Sequence, residues 1–236
     1  MKANIHYELQ SVVYICLRTK VRSYRKLLPK QLLLMYIPPH YNMDKPEEIL
    51  GFMRQYNFAC MVSLLDNHLT ATHLPFLLQH QEDDLILFSH LAKANPQAQQ
   101  LENQEVLVIF SEPHAYISPT WYTSSPNVPT WNYVAVHAYG KVRVLDEQAT
   151  FNLMEKTVQH FEPTHKANFW DNLPPNYRKT LLEELVAFEL TVTRIDAKKK
   201  LNQGKKREDQ ESVIQALEAT QEPLAIAIAR LMQKEL

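Results

Sequence analysis

Glycine is scarce in this chain, with only three among 236 residues: Gly51, Gly140 and Gly204. Rossmann dinucleotide-binding loops and P-loops need several glycines within a few residues, because their backbone turns tightly and approaches a phosphate closely. The sequence has neither a GxGxxG nor a GxxxxGK pattern. Rossmann-type dinucleotide binding and P-loop nucleotide hydrolysis are therefore excluded.

Cysteine is scarcer still, with Cys16 and Cys60 alone, too few for a disulfide framework or a thiolate zinc site. Cys60 lies in an apolar run and is expected to be a small core residue. The ten histidines include no HExxH sequence and no i, i+4 pair, and no serine lies in a GxSxG sequence. We therefore predict no metal site and no catalytic side chain.

Long apolar runs are also missing. No stretch reaches the roughly 18 apolar residues of a membrane-spanning helix. We therefore predict no membrane association and take the cytoplasm as the default compartment.

The charge is distributed unevenly, although the net charge is only −1. Residues 1–34 carry seven Lys or Arg against one Glu, so the remainder of the chain is acidic. An acidic body is not typical of a protein that binds DNA with its bulk surface. We predict that residues 1–34 are a basic N-terminal appendage preceding Met35, of the kind that an upstream start adds.

Apolar periodicity predicts a mainly β protein with peripheral helices, of the α+β class. Short strands joined by turns favour an antiparallel barrel, and helices are predicted after Asp146 and near the C-terminus. The predicted domains are a barrel over 35–195 and a charged linker with C-terminal helices over 196–236. The predicted strands are 58–65, 69–78, 85–88, 106–110, 134–145 and 186–192, and the C-terminal helices are 208–219 and 223–235.

The segment 90–97, His-Leu-Ala-Lys-Ala-Asn-Pro-Gln, joins a predicted strand to a predicted helix over 98–103. Lys93 supplies a positive charge there, and a helix N-terminus supplies free backbone N–H groups. With His90 and Asn95 nearby, this combination suits a phosphate. The alternative is an ordinary strand-to-helix turn with an exposed lysine.

The segment 113–140 contains two of the three tryptophans, four tyrosines and four prolines. A stiff loop loses less entropy when it binds a planar ligand. Trp131 offers an aromatic surface, and Asn132 adds a side chain that donates and accepts hydrogen bonds. The alternative is a proline-rich loop whose aromatic side chains cover the end of a barrel.

Four pieces of the chain together resemble the PaiB-type FMN-binding proteins, in their order and spacing from Met35 onward. The resemblance implies an antiparallel split β-barrel that binds FMN, commonly as a homodimer, in a group described as transcriptional regulators. The four pieces are Met35-Tyr-Ile-Pro-Pro-His-Tyr41, Ala71-Thr-His-Leu-Pro-Phe76, the 90–97 segment, and Val128-Pro-Thr-Trp-Asn-Tyr133 continuing to Gly140.

The resemblance also implies site residues at the subunit interface. The FMN phosphate is expected near His90, Lys93 and Asn95. The isoalloxazine is expected against Thr72, His73, Trp131 and Asn132, although His73 is equally well explained as a core or rim histidine. Lys200 and Gln203 are further implied site residues, if their segment approaches the flavin from the partner subunit.

The chain departs from the family near those last two residues. PaiB-type proteins usually have Lys-Leu-Ser-Gln-Asn, whereas this chain has Lys200-Leu-Asn-Gln-Gly204. The departure puts the contacts of this segment with the flavin in doubt.

Two other functions remain open from the sequence. One is an FMN-dependent oxidoreductase, since flavin carries that chemistry without a catalytic side chain from the protein. The other is a barrel that has lost FMN and serves as a scaffold. If the protein binds DNA, residues 1–34 and the basic run 198–207 are the concentrated positive charges, although such a run is usually a solvated linker.

Overall fold

The computed structural model describes residues 35–81, 84–162 and 169–236. The basic appendage predicted for residues 1–34 lies outside the described residues. Within these ranges, the strands are β1 (Phe58–Leu65), β2 (His68–Pro75), β3 (Leu77–Gln81), β4 (Asp84–Ala92), β5 (Glu105–Phe110), β6 (His114–Ile117), β7 (Thr130–Val144) and β8 (Leu185–Lys200).

All strands belong to one antiparallel sheet with the order β2-β1-β5-β7-β8-β4-β3, and β6 pairs with the start of β7. The sheet curls around an apolar core but remains open. The antiparallel α+β architecture predicted from the sequence is confirmed. Side chains alternate between the inner and outer sides of the sheet. In β1, for example, Ala59, Met61 and Ser63 are buried on the inner side, and the residues between them are more exposed.

Helices surround this sheet. In the described ranges the α-helices are α1 (Pro46–Gln55), α2 (Glu147–Phe161), α3 (Phe169–Asn172), α4 (Pro175–Glu183), α5 (Arg207–Ala219) and α6 (Pro223–Gln233). Both predicted C-terminal helices are present, with α5 beginning and α6 ending within two residues of the prediction. The short helices α3 and α4 were not predicted. None of the described helices is long and apolar enough to span a membrane.

Phe76 is the residue at which the chain crosses from one edge of the sheet to the other. The sequence predicts one strand over 69–78, but the structure has β2 and β3 at opposite edges. The Phe76 N–H donates to the Asn57 carbonyl at 2.8 Å, and its ring is fully buried against Phe110 and Phe188. Pro75 ends β2 at an edge, where a missing N–H is tolerated.

A β-bulge between the two longest strands changes the direction of the side chains on β8. Tyr139 pairs with Arg194 and Gly140 with Val192, which leaves Thr193 as the extra residue. A Cβ at Gly140 would lie 2.4 Å from the Thr191 carbonyl oxygen, so only glycine fits here. Beyond the bulge, even-numbered residues of β8 face outward.

The charged linker predicted to begin at Asp196 is wrong over its first five residues. Residues 196–200 are the last part of β8 and pair with β7. The sequence was misleading because Lys198, Lys199 and Lys200 lack apolar alternation. Lys199 nevertheless faces inward, where its ammonium group lies 2.7 Å from Glu48 of α1 and 2.6 Å from Glu235 at the C-terminus.

Candidate flavin site

A partly buried hydrogen-bond network joins β2 to the turn after β4. The Thr72 hydroxyl donates to Gln97 Oε1 at 2.6 Å and accepts from Asn95 Nδ2 at 3.1 Å. Gln97 Nε2 donates to the Ser63 hydroxyl at 2.6 Å. We call this place, where β2 meets the β4 turn, the seam. It brings together two of the predicted site residues, Thr72 and Asn95.

The helix predicted after the 90–97 segment is a short 3-10 helix, Pro96–Gln100. Its N-terminus does not present free N–H groups as expected, because Pro96 has none and Asn95 Oδ1 accepts the Gln97 N–H at 3.0 Å. The cation nevertheless remains accessible. Lys93 is exposed, and among the described residues its ammonium group donates only to the Glu183 carbonyl, at 3.2 Å. A phosphate is a stronger acceptor than that carbonyl.

His73 and His90 lie on the outer surface of the two strands that flank the seam. Thr72 points inward, so His73 points outward, where its exposed ring lies 6.3 Å from that of Phe58. His90 is half-buried, and burial lowers its pKa. A neutral imidazole keeps one donor and one acceptor, which suits a polar ligand edge.

A second group of predicted residues lies on the outer side of β7 and β8. Trp131 is 53% exposed and packs edge-on against Tyr116. Lys200 pairs across the strands with Tyr133 and donates to the Thr130 hydroxyl. We call Trp131, Tyr133, Lys198 and Lys200 the β7–β8 patch.

Two cations lie close together in the β7–β8 patch. Burial and the charge of Lys198 lower the pKa of Lys200. The Lys198 ammonium lies 5.2 Å from the centre of the Tyr133 ring and donates to the Tyr36 carbonyl at 3.2 Å. An anion bound here would relieve the repulsion between the lysines. Lys198 was not predicted as a site residue because the charged run was interpreted as a linker. Tyr36 and Tyr133 lie in the segments that resemble the family, but neither was assigned a role there.

Asn132 does not share the aromatic surface as the sequence suggests. Adjacent strand residues point to opposite faces, so Asn132 points inward when Trp131 points outward. Its side chain is fully buried, and Nδ2 donates weakly to the Met232 sulfur of α6 at 3.4 Å. Its Oδ1 has no hydrogen-bond partner among the described residues. In this chain Asn132 faces the C-terminal helix.

Gln203 is folded back on its own backbone. Its Oε1 accepts from Leu201 N at 2.7 Å, and its Nε2 donates to the Lys199 carbonyl at 3.0 Å. The two departures from the family sequence lie beside it, and both have positive φ: 64° at Asn202 and 86° at Gly204. Asparagine and glycine adopt this conformation most easily, so the departures fit the turn.

An apolar outer surface separates the seam from the β7–β8 patch. Three side chains on it are strongly exposed: Leu69 at 79%, Phe58 at 65% and Leu64 at 46%. Contrary to the sequence expectation, Cys60 is not in the core. It faces this surface, paired across the strands with His73 and Ile109. We call the outer side of β1, β2 and β5 the apolar face.

A separate opening lies elsewhere in the structure. This cavity of about 620 Å³ lies between α2 and the β3-β4-β8-β7 part of the sheet, and none of the nine predicted site residues lines it. The described residues also contain no group of three or more His, Cys, Asp or Glu side chains able to hold a metal ion.

The open antiparallel sheet with its peripheral helices places the chain in the class of split-barrel proteins. Solved structures support this fold. The flavocytochrome Anf3 from Azotobacter vinelandii superposes with a TM-score of 0.57 at 16% identity, covering 75% of this chain and 78% of that one. The FAD and heme binding protein from Mycobacterium smegmatis gives 0.54 at 16% identity, covering 73% and 78%.

The sequence comparisons define the family. The family model described as "Putative FMN-binding domain" matches residues 35–194. The chain is also 37% identical over 205 residues to "Protease synthase and sporulation protein PAI 2" of Bacillus subtilis (strain 168), covering 86% of this chain and 98% of that protein. The chain therefore belongs to the PaiB-type family of FMN-binding proteins.

FMN is the cofactor of this family, and the chemistry of the available groups fits it. The molecule combines a dianionic phosphate with a planar ring system that has one apolar and one polar edge. Lys93 at the seam and Lys200 in the β7–β8 patch are cations with weak protein acceptors. The exposed Trp131 and the imidazoles of His73 and His90 supply flat and polar surfaces.

Proposed function

We propose that this protein is an FMN-binding homodimer of the PaiB type that acts as a regulator in the cytoplasm, with the flavin held where two subunits meet. The carrying observation is that the apolar face separates the seam from the β7–β8 patch. Large exposed apolar patches on a folded chain mark interaction surfaces. If a second copy of this chain covers the apolar face, the predicted residues of the seam and those of the β7–β8 patch come together.

The symmetry of such a dimer supports this arrangement. In an isologous dimer, the same face of both subunits meets itself, so residues on one side of the face oppose residues on the other side of the partner's face. The seam of one subunit would then oppose the β7–β8 patch of its partner. Two equivalent flavin sites result, each built from both chains.

Within that site the residues divide by chemistry. Lys93 would hold the phosphate, with His90 as a neutral hydrogen-bonding partner beside it. Trp131 and Lys200 would reach the flavin from the partner, the indole against the ring and the ammonium toward an oxygen. Thr72 and Asn95 keep the seam closed, because their side chains are already bonded to each other. When bound, FMN supplies reversible redox chemistry, and its occupancy is a signal that an interface can report.

The dimer is tested by placing a charge on the apolar face. Leu69→Asp should shift the protein from dimer to monomer in sedimentation analysis and reduce the flavin retained, measured by absorbance. Leu181→Asp is a matched control, because this leucine is 39% exposed on α4, away from the face. A Leu69→Asp protein that stays dimeric with full flavin would contradict the proposal.

A second candidate, an FMN-dependent oxidoreductase, is favoured by one observation. Phe88, which lines the 620 Å³ cavity, lies two residues before His90 on the same outer side of β4. A small molecule in the cavity would lie beside the proposed phosphate-binding residues. Rapid NADH oxidation by the flavin-loaded protein, with no DNA retarded at low salt, would favour this candidate over the regulator.

A further inference from the structure

The floor of the 620 Å³ cavity is one row of paired residues across four strands. Leu77 pairs with Phe88, Phe88 with Glu189, and Glu189 with Arg143. All four line the cavity. The row is apolar on the β3–β4 side and ionic on the β7–β8 side, where Arg143 Nε lies 2.7 Å from Glu189 Oε1.

The roof of the cavity is one face of α2. Ala149, Leu153, Lys156 and His160 line the cavity, and their spacing of three or four residues places them along one side of a helix. Leu153 is buried, so the apolar part of the cavity continues from the sheet onto the helix. Lys156 and His160 follow it toward the end of the helix.

The rim of the cavity carries positive charge that the described protein does not neutralise. Arg143 is paired with Glu189, but Arg54, in the last turn of α1, and Lys156 have neither a hydrogen bond nor an ion pair with any residue in the described ranges. An apolar interior with two unpaired cations at its rim is complementary to an anion attached to an apolar body.

We propose that this cavity is a second ligand site, which binds small amphipathic monoanions such as aryl or alkyl carboxylates. The apolar body lies between Leu77, Phe88 and Leu153, and the carboxylate is held by Arg54 and Lys156. The volume of about 620 Å³ is within the usual 300–1,000 Å³ of small-molecule pockets. Binding here does not depend on FMN, because none of the proposed flavin residues lines the cavity.

The experiment is a calorimetric titration of the full-length protein with three probes of one shape: 4-phenylbutyrate, its neutral amide and the cationic 4-phenylbutylamine. We expect the carboxylate to bind at least about tenfold tighter than the amide, since one charge-assisted hydrogen bond is worth about that factor. The amine should bind more weakly than the amide. Equal binding of carboxylate and amide, or no carboxylate binding up to millimolar concentration, would overturn the proposal.

Two variants locate the binding. Arg54→Gln/Lys156→Gln removes both rim charges from exposed positions, and we expect carboxylate affinity to fall to that of the amide while amide affinity changes little. Arg230→Gln/Lys234→Gln removes one Arg and one Lys from exposed positions on and just after α6, and it should leave both affinities unchanged. Equal loss in the two double variants would show a general effect of charge and would overturn the site.

A third variant and a competition complete the test. Ala149→Phe fills the cavity from α2 and should abolish binding of both carboxylate and amide; because this variant changes packing, its melting temperature is measured alongside. If it unfolds, the rim variants still decide the question. Saturating FMN should leave the Kd for 4-phenylbutyrate within about threefold. Displacement of the probe by FMN in proportion to FMN concentration would overturn a separate site.

Discussion

The hydroxyl of Thr72 accepts a hydrogen bond from the side-chain amide of Asn95 at 3.1 Å, although β2 and β4 are five positions apart in the sheet order. The contact exists because the open sheet curls until its edges nearly meet. Thr72 and Asn95 were both predicted to contact the flavin. Their mutual bond shows that they also hold together the two strands beside the proposed site.

Lys93 is expected to discriminate FMN from riboflavin. Lys93→Ala should weaken FMN binding by about 1.5–3 kcal/mol, the usual value of a charge-assisted hydrogen bond, and riboflavin binding little, because riboflavin lacks the phosphate. Flavin fluorescence titrations measure both. Lys179→Ala on α4 is the control, since that lysine is exposed and contacts the same residue, Glu183, through its side chain. Equal losses for both flavins would place the phosphate elsewhere.

Gln97 should be the main source of stability in the seam. Its side chain is 1% exposed and bonded to Thr72 and Ser63. Gln97→Leu leaves these hydroxyls without their partner, so we expect the free energy of unfolding to fall by about 1–3 kcal/mol in urea denaturation. The control is Gln99→Leu, because Gln99 is exposed, and it should change the free energy of unfolding by no more than about 0.5 kcal/mol. Similar losses in both variants would argue against a special role for the seam.

Gly140 and Gly51 should respond oppositely to alanine. At Gly140 a Cβ would overlap the backbone of β8, so Gly140→Ala should destabilise the protein by about 1–3 kcal/mol. At Gly51, in the middle of α1, no atom lies within 4 Å of such a Cβ, and Gly51→Ala should stabilise by about 0.5–1 kcal/mol through helix propensity. Thermal and urea unfolding measure both. A neutral Gly140→Ala would show that the bulge can relax.

Asp209 should make stability depend on acid pH. It accepts hydrogen bonds from the backbone and hydroxyls of Thr123 and Ser124, and these bonds lower its pKa from 3.8 to about 2. A carboxyl with a lowered folded-state pKa stabilises the fold above its unfolded pKa and loses that contribution as pH falls through its folded pKa. Asp209→Asn should therefore be less stable than wild type at pH 7, with the difference shrinking between about pH 4 and pH 2. A constant difference over that range would assign the effect to packing.

DNA binding, if it accompanies the regulator role, is expected to use the end of the basic run. Lys198 is 8% exposed, and Lys199 is ion-paired, so the exposed cations are Lys205, Lys206 and Arg207. Lys205→Glu/Lys206→Glu should abolish retardation of promoter fragments in gel shifts while FMN stays bound, and wild-type binding should weaken steeply with salt. Arg230→Glu/Lys234→Glu is the matched control. Unchanged retardation in the first variant would place the DNA contact elsewhere.

Much of the fold follows from the sequence because local patterns are strong there. The Asp66–Asn67 turn, with φ of 51° and 62°, joins β1 and β2 as the two strand-like runs indicate. The break at Phe76 could not be predicted, because apolar residues continue on both sides of it from Leu74 to Leu78 and only the curl of the whole sheet separates β2 from β3. The β6 strand was not predicted, because it has only four residues and is flanked by Pro113 and Pro119.

The predicted site residues were harder to place for a different reason. Patterns in sequence identify residue types that suit FMN, but they do not give the side of a strand on which each residue lies. Trp131 and Asn132 are neighbours in sequence and face opposite sides of β7. The cavity under α2 gave no sequence signal, since its floor joins residues from four separate strands.

The bulge at Thr193 has a consequence for the three consecutive lysines that follow it. The extra residue reverses which residues of β8 face inward. Lys198 and Lys200 therefore face the outer side of the sheet, whereas Lys199 faces the inner side and forms ion pairs with Glu48 of α1 and Glu235 at the C-terminus. Deleting Thr193 would reverse the sides of the sheet on which these three lysines lie. Lys199 would then face outward. Lys198 and Lys200 would both face inward, toward the Glu48 and Glu235 carboxylates that now pair with Lys199 alone. The number of residues in β8 therefore determines the charge on the outer surface as much as the lysines themselves do.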